Sequence, residues 1–402
     1  MKNLFTLSFL ALFILATTGL SAQEKEKKSD SGYQFTLVKK LPATSVKNQY
    51  RSSTCWSYST ISFLESELLR MGKDTFDLSD MFPVHKAYPE KAEMYIRFNG
   101  KHNFGPGGAA HDVINMLRKY GITPESAYSG HVIGEVNPVH GEMDAVLEAT
   151  VEAVAKNPNR KLTPVWQKGF NGLVDAYLGT IPDKFTYKGT EYTPRSFADM
   201  LGINPDDYVE ITSYTHHPFY SKFIIEIPDN WAMDEVYNVP LDDMIRIIDN
   251  SIDQGYTVAW GADVSEKGFT WKNGIAIVPD KNVSEITGMD KDRWGKLSDA
   301  EKEKMLLKFE HPVKEKDITQ EMRQVEFDNY QTTDDHGLHL VGIARDQNGT
   351  KYYLVKNSWG LDGNPYNGYI YVSEAYIRLK TMDLMVHKNA VPKDLRNKLE
   401  MK

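Results

Sequence analysis

Cys55 is the only cysteine in a chain of 402 residues. A thiol without a second cysteine cannot form a disulfide within its chain, so it is either a small buried apolar side chain or a reactive group. A thiol attacks as its thiolate, which the free N–H groups and dipole of a helix N-terminus stabilise. Apolar side chains recur at helical spacing from Cys55 onward, in CWSYSTISFLESELLRMG. We therefore expect a thiol of lowered pKa at the start of a helix.

A histidine base for this thiol is offered by the stretch DDHGLHLVGIA, which alternates as a strand does. His336 precedes this strand, and Asn357 ends the next one. Antiparallel pairing through a turn at Asn348-Gly349 would bring His336 and Asn357 together, so that the amide orients the imidazole toward the thiol. His339 is the competing base. Because strand residues 336 and 339 face opposite ways, only one can reach the thiol, and we expect His336.

Three further positions could serve this chemistry. The side-chain amide of Gln49 lies in a predicted loop upstream of Cys55 and, with the Cys55 N–H, could stabilise an oxyanion. Gly107 and Gly108 form either a tight turn or a backbone edge that an extended peptide can approach closely. Trp359 either packs in the core or covers the contact between His336 and the asparagine.

As a set, these residues resemble the papain superfamily of cysteine peptidases. The matching segments are Gln49, Cys55-Trp56, Asp335-His336 and Asn357-Ser358-Trp359-Gly360. The chain keeps the Cys-Trp pair of that family's signature but lacks the cysteine and glycine before it. The resemblance implies an α+β fold with a helical lobe and a barrel-like β lobe, and no cofactor. It also implies roles for the residues: Cys55 as nucleophile, His336 as base, Asn357 as its orienting partner, Gln49 in the oxyanion hole, and Gly107, Gly108 and Trp359 in substrate binding.

The chain departs from the family in the long separation between its cysteine and its histidine. Papain-like enzymes separate the two by roughly 130–150 residues, and here a mostly helical insertion at about 130–235 lengthens the interval. This length resembles the bleomycin hydrolase and aminopeptidase C branch. So do the segments FGPGGAAHDVINMLRKYGITPESAY (104–128), YNVPLDDM (237–244) and VHKNAVPKDLRNKL (386–399), the last read as a final helix. The resemblance implies an aminopeptidase, and it allows a homo-oligomer.

The branch carries a C-terminal arm in its cleft, and this sequence ends before such an arm, so endopeptidase action is a second expectation. Two other functions fit the same residues. One is a peptide-binding protein that has lost turnover, and the other is a thiol amide hydrolase for non-peptide substrates.

The N-terminus predicts export to the periplasm or outside the cell. Lys2 precedes the apolar run LFTLSFLALFILA, and small residues end at Ala22, so residues 1–22 read as a signal peptide. A membrane anchor is the alternative, although the run is short for a bilayer. A polar leader over 23–40 and a peptidase domain over 41–402 follow, with no stable membrane insertion once the signal is removed.

Charge and histidine spacing exclude other classes of partner. A net charge of −8 argues against nucleic acid, which requires clustered Lys and Arg. His102, His111 and the pair His216-His217 lack the ligand spacing of a zinc site, so we expect no metal.

The elements that must hold the site are also predicted by pattern. Helices are expected from Cys55 to Gly72, His111 to Tyr120, over 241–254, and after the capping box that begins at Ser298. Strands are expected in GYTVAWGADV, HLVGIARD, KYYLVKNSW and GYIYVS. Helices in front and strands behind indicate an α+β protein.

Overall fold

Helices occupy the front of the chain and most strands its second half, in a computed structural model that describes residues 32–159, 161–281 and 294–401. The helices are α1 (Cys55–Arg70), α2 (Met81–Arg97), α3 (Ala110–Tyr120), α4 (Gly141–Ala155), α5 (Val165–Leu178), α6 (Pro194–Leu201), α7 (Leu241–Gln254), α8 (Asp299–Leu306), α9 (Gln320–Asp328), α10 (Glu374–Lys380) and α11 (Lys393–Lys398). Within these ranges, each helix is too short or too polar to cross a lipid bilayer.

Thirteen strands are found in the same ranges. They are β1 (Thr36–Lys40), β2 (Phe185–Tyr187), β3 (Thr190–Tyr192), β4 (Tyr208–Thr212), β5 (Ser221–Ile224), β6 (Glu235–Asn238), β7 (Val258–Ala262), β8 (Phe269–Thr270), β9 (Ile275–Ala276), β10 (His336–Arg345), β11 (Lys351–Lys356), β12 (Tyr369–Ser373) and β13 (Thr381–His387). β2 and β3 form a separate hairpin.

The remaining strands form one sheet in the order β5-β6-β4-β13-β7-β10-β11-β12-β9-β8, with β1 paired to the far end of β10. β10 and β11 are antiparallel neighbours, with His339 opposite Lys356. β7 lies between β10 and β13, so that Gly261 is opposite both Gly337 and Asp383. These three strands carry one wall of the cleft described below.

Two hydrophobic cores meet at helix α1. One joins α1 to α6, and the other joins the sheet to α7 and α11. Every residue of α1 from Trp56 to Leu68 is buried, because α1 packs against α2 and α3 on one side and against β7 and β10 on the other. The chain therefore has the helical lobe and β lobe of a papain-like α+β fold, with α1 as the shared wall.

The predicted helix ends are found where the sequence offers a cap. Gly72, just past α1, adopts φ +74°, and Gly121, which ends α3, adopts φ +86°; glycine tolerates both best. At α8, the Ser298 side chain accepts from the Glu301 backbone N–H while the Glu301 carboxylate accepts from the Ser298 N–H. α7 also matches its predicted limits.

Three predictions of local structure need correction. α2 was not predicted, because Pro89 interrupts its sequence pattern, yet the proline is accommodated inside the helix. The insertion at about 130–235 is helical only through α4 to α6, and its last part forms β4 to β6, which extend the sheet. The predicted final helix over 386–399 begins as the end of β13 and becomes helical only at Lys393.

Candidate active site

Cys55 and His336 line the same cleft between the lobes. Cys55 is the first residue of α1 and His336 the first residue of β10, so two rigid elements present them. Gly108 lines the cleft from the helical lobe, and the cleft wall also includes Trp260 and Gly337.

The protonation state of His336 follows from its hydrogen bonds. The backbone N–H of Ser358 donates to Asn357 Oδ1 at 2.7 Å, which identifies that atom as the amide oxygen. His336 Nε2 lies 2.8 Å from the same oxygen and must therefore donate its proton to it. The neutral imidazole then keeps Nδ1 as the nitrogen that can take a proton from the thiol.

Trp359 covers this hydrogen bond. Its ring centroid lies 4.7 Å from that of His336, at an interplanar angle of 31°. Phe269 and Trp271 pack edge-on against Trp359 on its other sides. The aromatic group keeps water away from the contact between imidazole and amide, and a low local dielectric strengthens that contact.

His339 is held away from the thiol. Its Nδ1 lies 2.8 Å from the hydroxyl of Ser62, on the underside of α1, and its ring meets Phe63 edge-on. It lines a separate small cavity with Lys356. The one-sided alternation of β10 therefore places His336, and not His339, in the cleft with Cys55.

Gln49 joins the same network through Ser358. The Ser358 hydroxyl donates to Gln49 Oε1 at 2.6 Å, and the Gln49 backbone N–H donates to the Ser358 carbonyl at 2.8 Å. With its oxygen engaged, the Gln49 amide has its Nε2 hydrogens left to donate to a ligand. A continuous chain of hydrogen bonds thus runs from His336 through Asn357 and Ser358 to Gln49.

Burial controls the ionisation of the reactive pair. Burial raises the pKa of Cys55 to about 12; the Gly337 N–H opposes this rise, and the carboxylates of Asp334 and Asp229 add to it. Burial likewise lowers the pKa of His336 to about 4, against the hydrogen bond to Asn357. The expected lowering of the thiol pKa by the helix start is therefore wrong for this state, because loss of hydration outweighs the helix dipole. Thiol and imidazole are both neutral at rest.

The loop that contains Gly107 and Gly108 is held from behind. The Trp56 indole N–H donates to the Pro106 carbonyl at 2.9 Å, and Lys91 Nζ donates to the carbonyls of Gly105, at 2.9 Å, and of Gly107. A Cβ at Gly108 would stand 2.7 Å from the Asp112 carboxylate and 3.1 Å from the Trp56 ring. Glycine lets the loop lie flat on these groups, with Gly108 exposed to the cleft.

One cluster of potential metal ligands lies away from the cleft, at His216, His217 and Glu226. The histidine spacing did not reveal it, because Glu226 reaches the pair only through the turn into β5. The Thr215 backbone N–H donates to Gln324 Oε1, so Gln324 Nε2 donates to His216 Nδ1 at 3.0 Å. The proton of His216 must then be on Nε2, the atom that faces Glu226 at 3.1 Å. This arrangement suits an ion pair better than a metal, which needs that nitrogen unprotonated.

Four residues at the site were not singled out from the sequence. Ser358 links Asn357 to Gln49, and three aspartates, Asp229, Asp334 and Asp383, line the cleft beside Cys55. Ser358 could have been found as the neighbour of Asn357. The aspartates carry no motif, since they come from three distant segments that only the folded chain brings together.

Comparisons with known proteins agree with this geometry. Residues 307–402 match the model of the Peptidase C1-like family. Aminopeptidase C of Streptococcus thermophilus is 22% identical over 92% of this chain and 86% of its own length. Aminopeptidase G of Lactobacillus delbrueckii subsp. lactis is 22% identical over 88% of this chain and 83% of its own.

A solved structure shows the same fold. The crystal structure of PepW from Lactobacillus rhamnosis HN001 superposes with a TM-score of 0.68 over 93% of this chain and 87% of that one, at 19% identity. The family model covers the segment with His336 and Asn357, and the relatives extend the match over nearly the whole chain. This chain belongs to the papain superfamily of cysteine peptidases, in its aminopeptidase C branch.

Proposed function

We propose that the chain removes N-terminal residues from peptides by thiol catalysis at Cys55. The observation that carries the proposal is the hydrogen-bonded chain from His336 through Asn357 and Ser358 to Gln49, set on the cleft that Cys55 opens. The aminopeptidase part rests on the relatives named aminopeptidase C and aminopeptidase G.

The first step is attack by Cys55 Sγ on the carbonyl carbon of the scissile bond. Because burial disfavours each charge separately, the thiol proton passes to His336 Nδ1 as the bond to carbon forms. Asn357 Oδ1 accepts from Nε2–H and stabilises the resulting imidazolium. The Gln49 amide and the Cys55 N–H donate to the developing oxyanion.

Collapse of this intermediate breaks the C–N bond, and His336 gives its proton to the departing amine. The acyl group remains on Cys55 as a thioester. Water then attacks that thioester while His336 takes a proton from it, and the carboxylic acid product leaves as the thiol is restored. Each cycle consumes one water molecule and requires no redox partner.

The experiment compares the wild-type protein with Cys55→Ser, under reducing conditions, on a fluorogenic aminoacyl-coumarylamide with a free amine. We expect Cys55→Ser to lower kcat at least about a thousand-fold, because a serine hydroxyl is a far weaker nucleophile in a site built for a thiol. Stoichiometric alkylation of Cys55 should abolish the same activity.

A matched control is His339→Gln, since His339 binds Ser62 beneath α1 and does not line the cleft. Equal activity of wild type and Cys55→Ser would overturn thiol catalysis. Unchanged peptide binding without turnover would favour a binding protein, and hydrolysis of non-peptide amides alone would favour the amide hydrolase.

We also propose export through residues 1–22, which lie outside the described residues. The support is the arrangement of Lys2, the apolar run and the small residues before Gln23 in the sequence. N-terminal sequencing of protein recovered from outside the cytoplasm should read from Gln23, and an intact Met1 in that fraction would contradict cleavage.

A further inference from the structure

Three aspartates converge on the cleft beside Cys55. Asp229 lies in the turn between β5 and β6, Asp334 stands two residues before His336, and Asp383 is in β13. The strand register places Asp383 opposite Gly261, and Gly261 opposite Gly337. The carboxylates therefore come from three separate segments to one wall of the reactive site.

These carboxylates have no bonded cation among the residues that the structure describes. Asp383 is only 5% exposed, and its side chain makes no hydrogen bond or ion pair to the described ranges. Asp334 Oδ2 is buried without a hydrogen-bond partner. Buried carboxylates are ordinarily paired or hydrogen-bonded, because desolvation of an unpaired charge is costly.

The nearest positive groups are committed elsewhere. Lys91 donates to the carbonyls of the glycine loop, and His111 Nδ1 pairs with Glu210 at 2.7 Å. Arg323 donates to the Ser213 carbonyl at 2.7 Å. Each acts on the aspartates only through space. The negative charge on the cleft side is therefore not neutralised by direct contact.

Burial and mutual repulsion show in the ionisation of the group. Burial raises the pKa of Asp334 well above its usual range, and Asp229 and Asp383 raise it further. Burial also raises the pKa of Asp383 to about 7, with Glu210 adding to the rise and His111 and Arg323 opposing it. A cation held between these groups would reverse both effects.

Two glycines make room for the carboxylates. A Cβ at Gly261 would overlap the Asp383 carboxylate, and a Cβ at Gly107 would overlap that of Asp229. Neither glycine has a positive φ, so backbone conformation does not require glycine at either position. The space they leave is occupied by carboxylate oxygens that face the cleft.

We propose that Asp229, Asp334 and Asp383 bind the ammonium group of a peptide substrate, an assignment that rests on the proposed peptidase function. The favoured source is the α-ammonium of the residue whose carbonyl Cys55 attacks. That nitrogen is only two bonds from the attacked carbon, and Cys55 lines the same cavity as the three aspartates. The open space is about 20 Å³, which is room for roughly one water-sized group. A lysine side chain is the other source of the same chemistry.

The test measures kcat/KM for matched coumarylamides: alanyl with a free amine, N-acetyl-alanyl, and an analogue whose amine is replaced by a hydroxyl. A second pair, N-acetyl-lysyl-alanyl and N-acetyl-norleucyl-alanyl, reports a side-chain ammonium. Variants are Asp334→Asn and Asp383→Asn, with Asp362→Asn as control, because Asp362 is exposed and outside the cleft.

We expect the wild type to prefer the free amine, and each cleft variant to reduce that preference about ten- to hundred-fold, as loss of a charged hydrogen bond does. Hydrolysis of N-acetyl-alanyl substrate should stay within about two-fold in the same variants. Asp362→Asn should keep the wild-type preference. A preference for lysyl over norleucyl that depends on the aspartates would support the pocket with the side chain as source.

A preference that survives both substitutions would overturn the proposal, as would a wild type indifferent to all cationic groups. Failure of the peptidase function itself is distinct, because no substrate would then be cleaved. If the variants fold poorly, the wild type alone decides: equal kcat/KM for the amine and hydroxyl substrates at neutral pH would contradict an ammonium pocket.

Discussion

At the scale of single residues, the site is organised by one asparagine oxygen that accepts two hydrogen bonds. The Ser358 N–H fixes the orientation of Asn357, and that orientation fixes the tautomer of His336. The second link, from the Ser358 hydroxyl to Gln49, extends the same control to the oxyanion side. A single serine thus positions groups that act on opposite sides of the scissile carbonyl.

Substitution of Ser358 by alanine should lower kcat about ten-fold and leave KM nearly unchanged. Without the hydroxyl, the Gln49 amide can rotate, and an oxyanion donor acts mainly in the transition state. Kinetics on the free-amine substrate give both constants, and Ser358→Thr, which keeps a hydroxyl, should restore most of the rate.

The double variant isolates this route. If Ser358 acts through Gln49, then Ser358→Ala should cost little more once Gln49→Ala is present, because the two residues form one unit. Fully additive losses, or a loss confined to thermal stability, would mean that the serine has only a packing role.

At the scale of elements, the loop from Phe104 to Ala109 is a rigid support for substrate. Trp56 from α1 and Lys91 from α2 bind its carbonyls, so the first two helices together hold it. The segment before α3 therefore has a fixed shape although it contains three glycines.

We expect Gly107→Ala to lower kcat/KM for the free-amine substrate roughly ten-fold, since the new Cβ would displace the Asp229 carboxylate and the loop with it. Gly105→Ala is a matched control. Lys91 binds both glycine carbonyls, yet a Cβ at Gly105 meets no atom within 4 Å. Steady-state kinetics and thermal unfolding of the two variants check this, and equal effects at both positions would refute the steric argument.

Element boundaries were predictable where local chemistry decides them. The capping box at Ser298 and the glycines after α1 and α3 give the ends of their helices, because caps depend on neighbours in sequence. α2 was missed because Pro89 reads as a break, whereas packing on α3 and α5 keeps the helix intact. β4 to β6 were missed because their pairing partners lie far along the chain.

At the scale of the whole molecule, Lys47 connects the two lobes. Its carbonyl accepts from the Gly360 N–H at 3.1 Å, on the side of the β lobe. Its ammonium lies 2.8 Å from the Asp80 carboxylate and 3.5 Å from that of Glu65, both buried in the helical lobe. The residues that lead into Cys55 are thus anchored at both ends of this side chain.

Replacing Lys47 by methionine should lower the free energy of unfolding by about 2–4 kcal/mol. Removal of one partner of a buried ion pair leaves carboxylates without a counter-charge, and the 23% exposure of the Lys47 side chain moderates the loss. Urea unfolding gives the value.

The control is Lys188→Met, whose ion pair with Asp74 at 3.0 Å is on the surface. This variant should unfold at the wild-type urea concentration, because solvent already screens that pair. A Lys47→Met protein as stable as the control would show that the lobes do not depend on the buried charge.

The sequence by itself determined the chemistry that this protein can perform. One thiol at the start of a helical pattern, a histidine before a strand and an asparagine at the end of the next depend on residue type and short-range periodicity, which the chain states directly. The geometry then placed His336 and Asn357 2.8 Å apart.

Only the tertiary structure decided the environment of that chemistry. The ionisation of Cys55 depends on how deeply the lobes bury it, so a helix start alone gave the wrong direction for its pKa. The acidic wall of Asp229, Asp334 and Asp383 exists because three distant segments meet beside the thiol. Burial and long-range convergence are properties of the packed chain, and no local pattern encodes them.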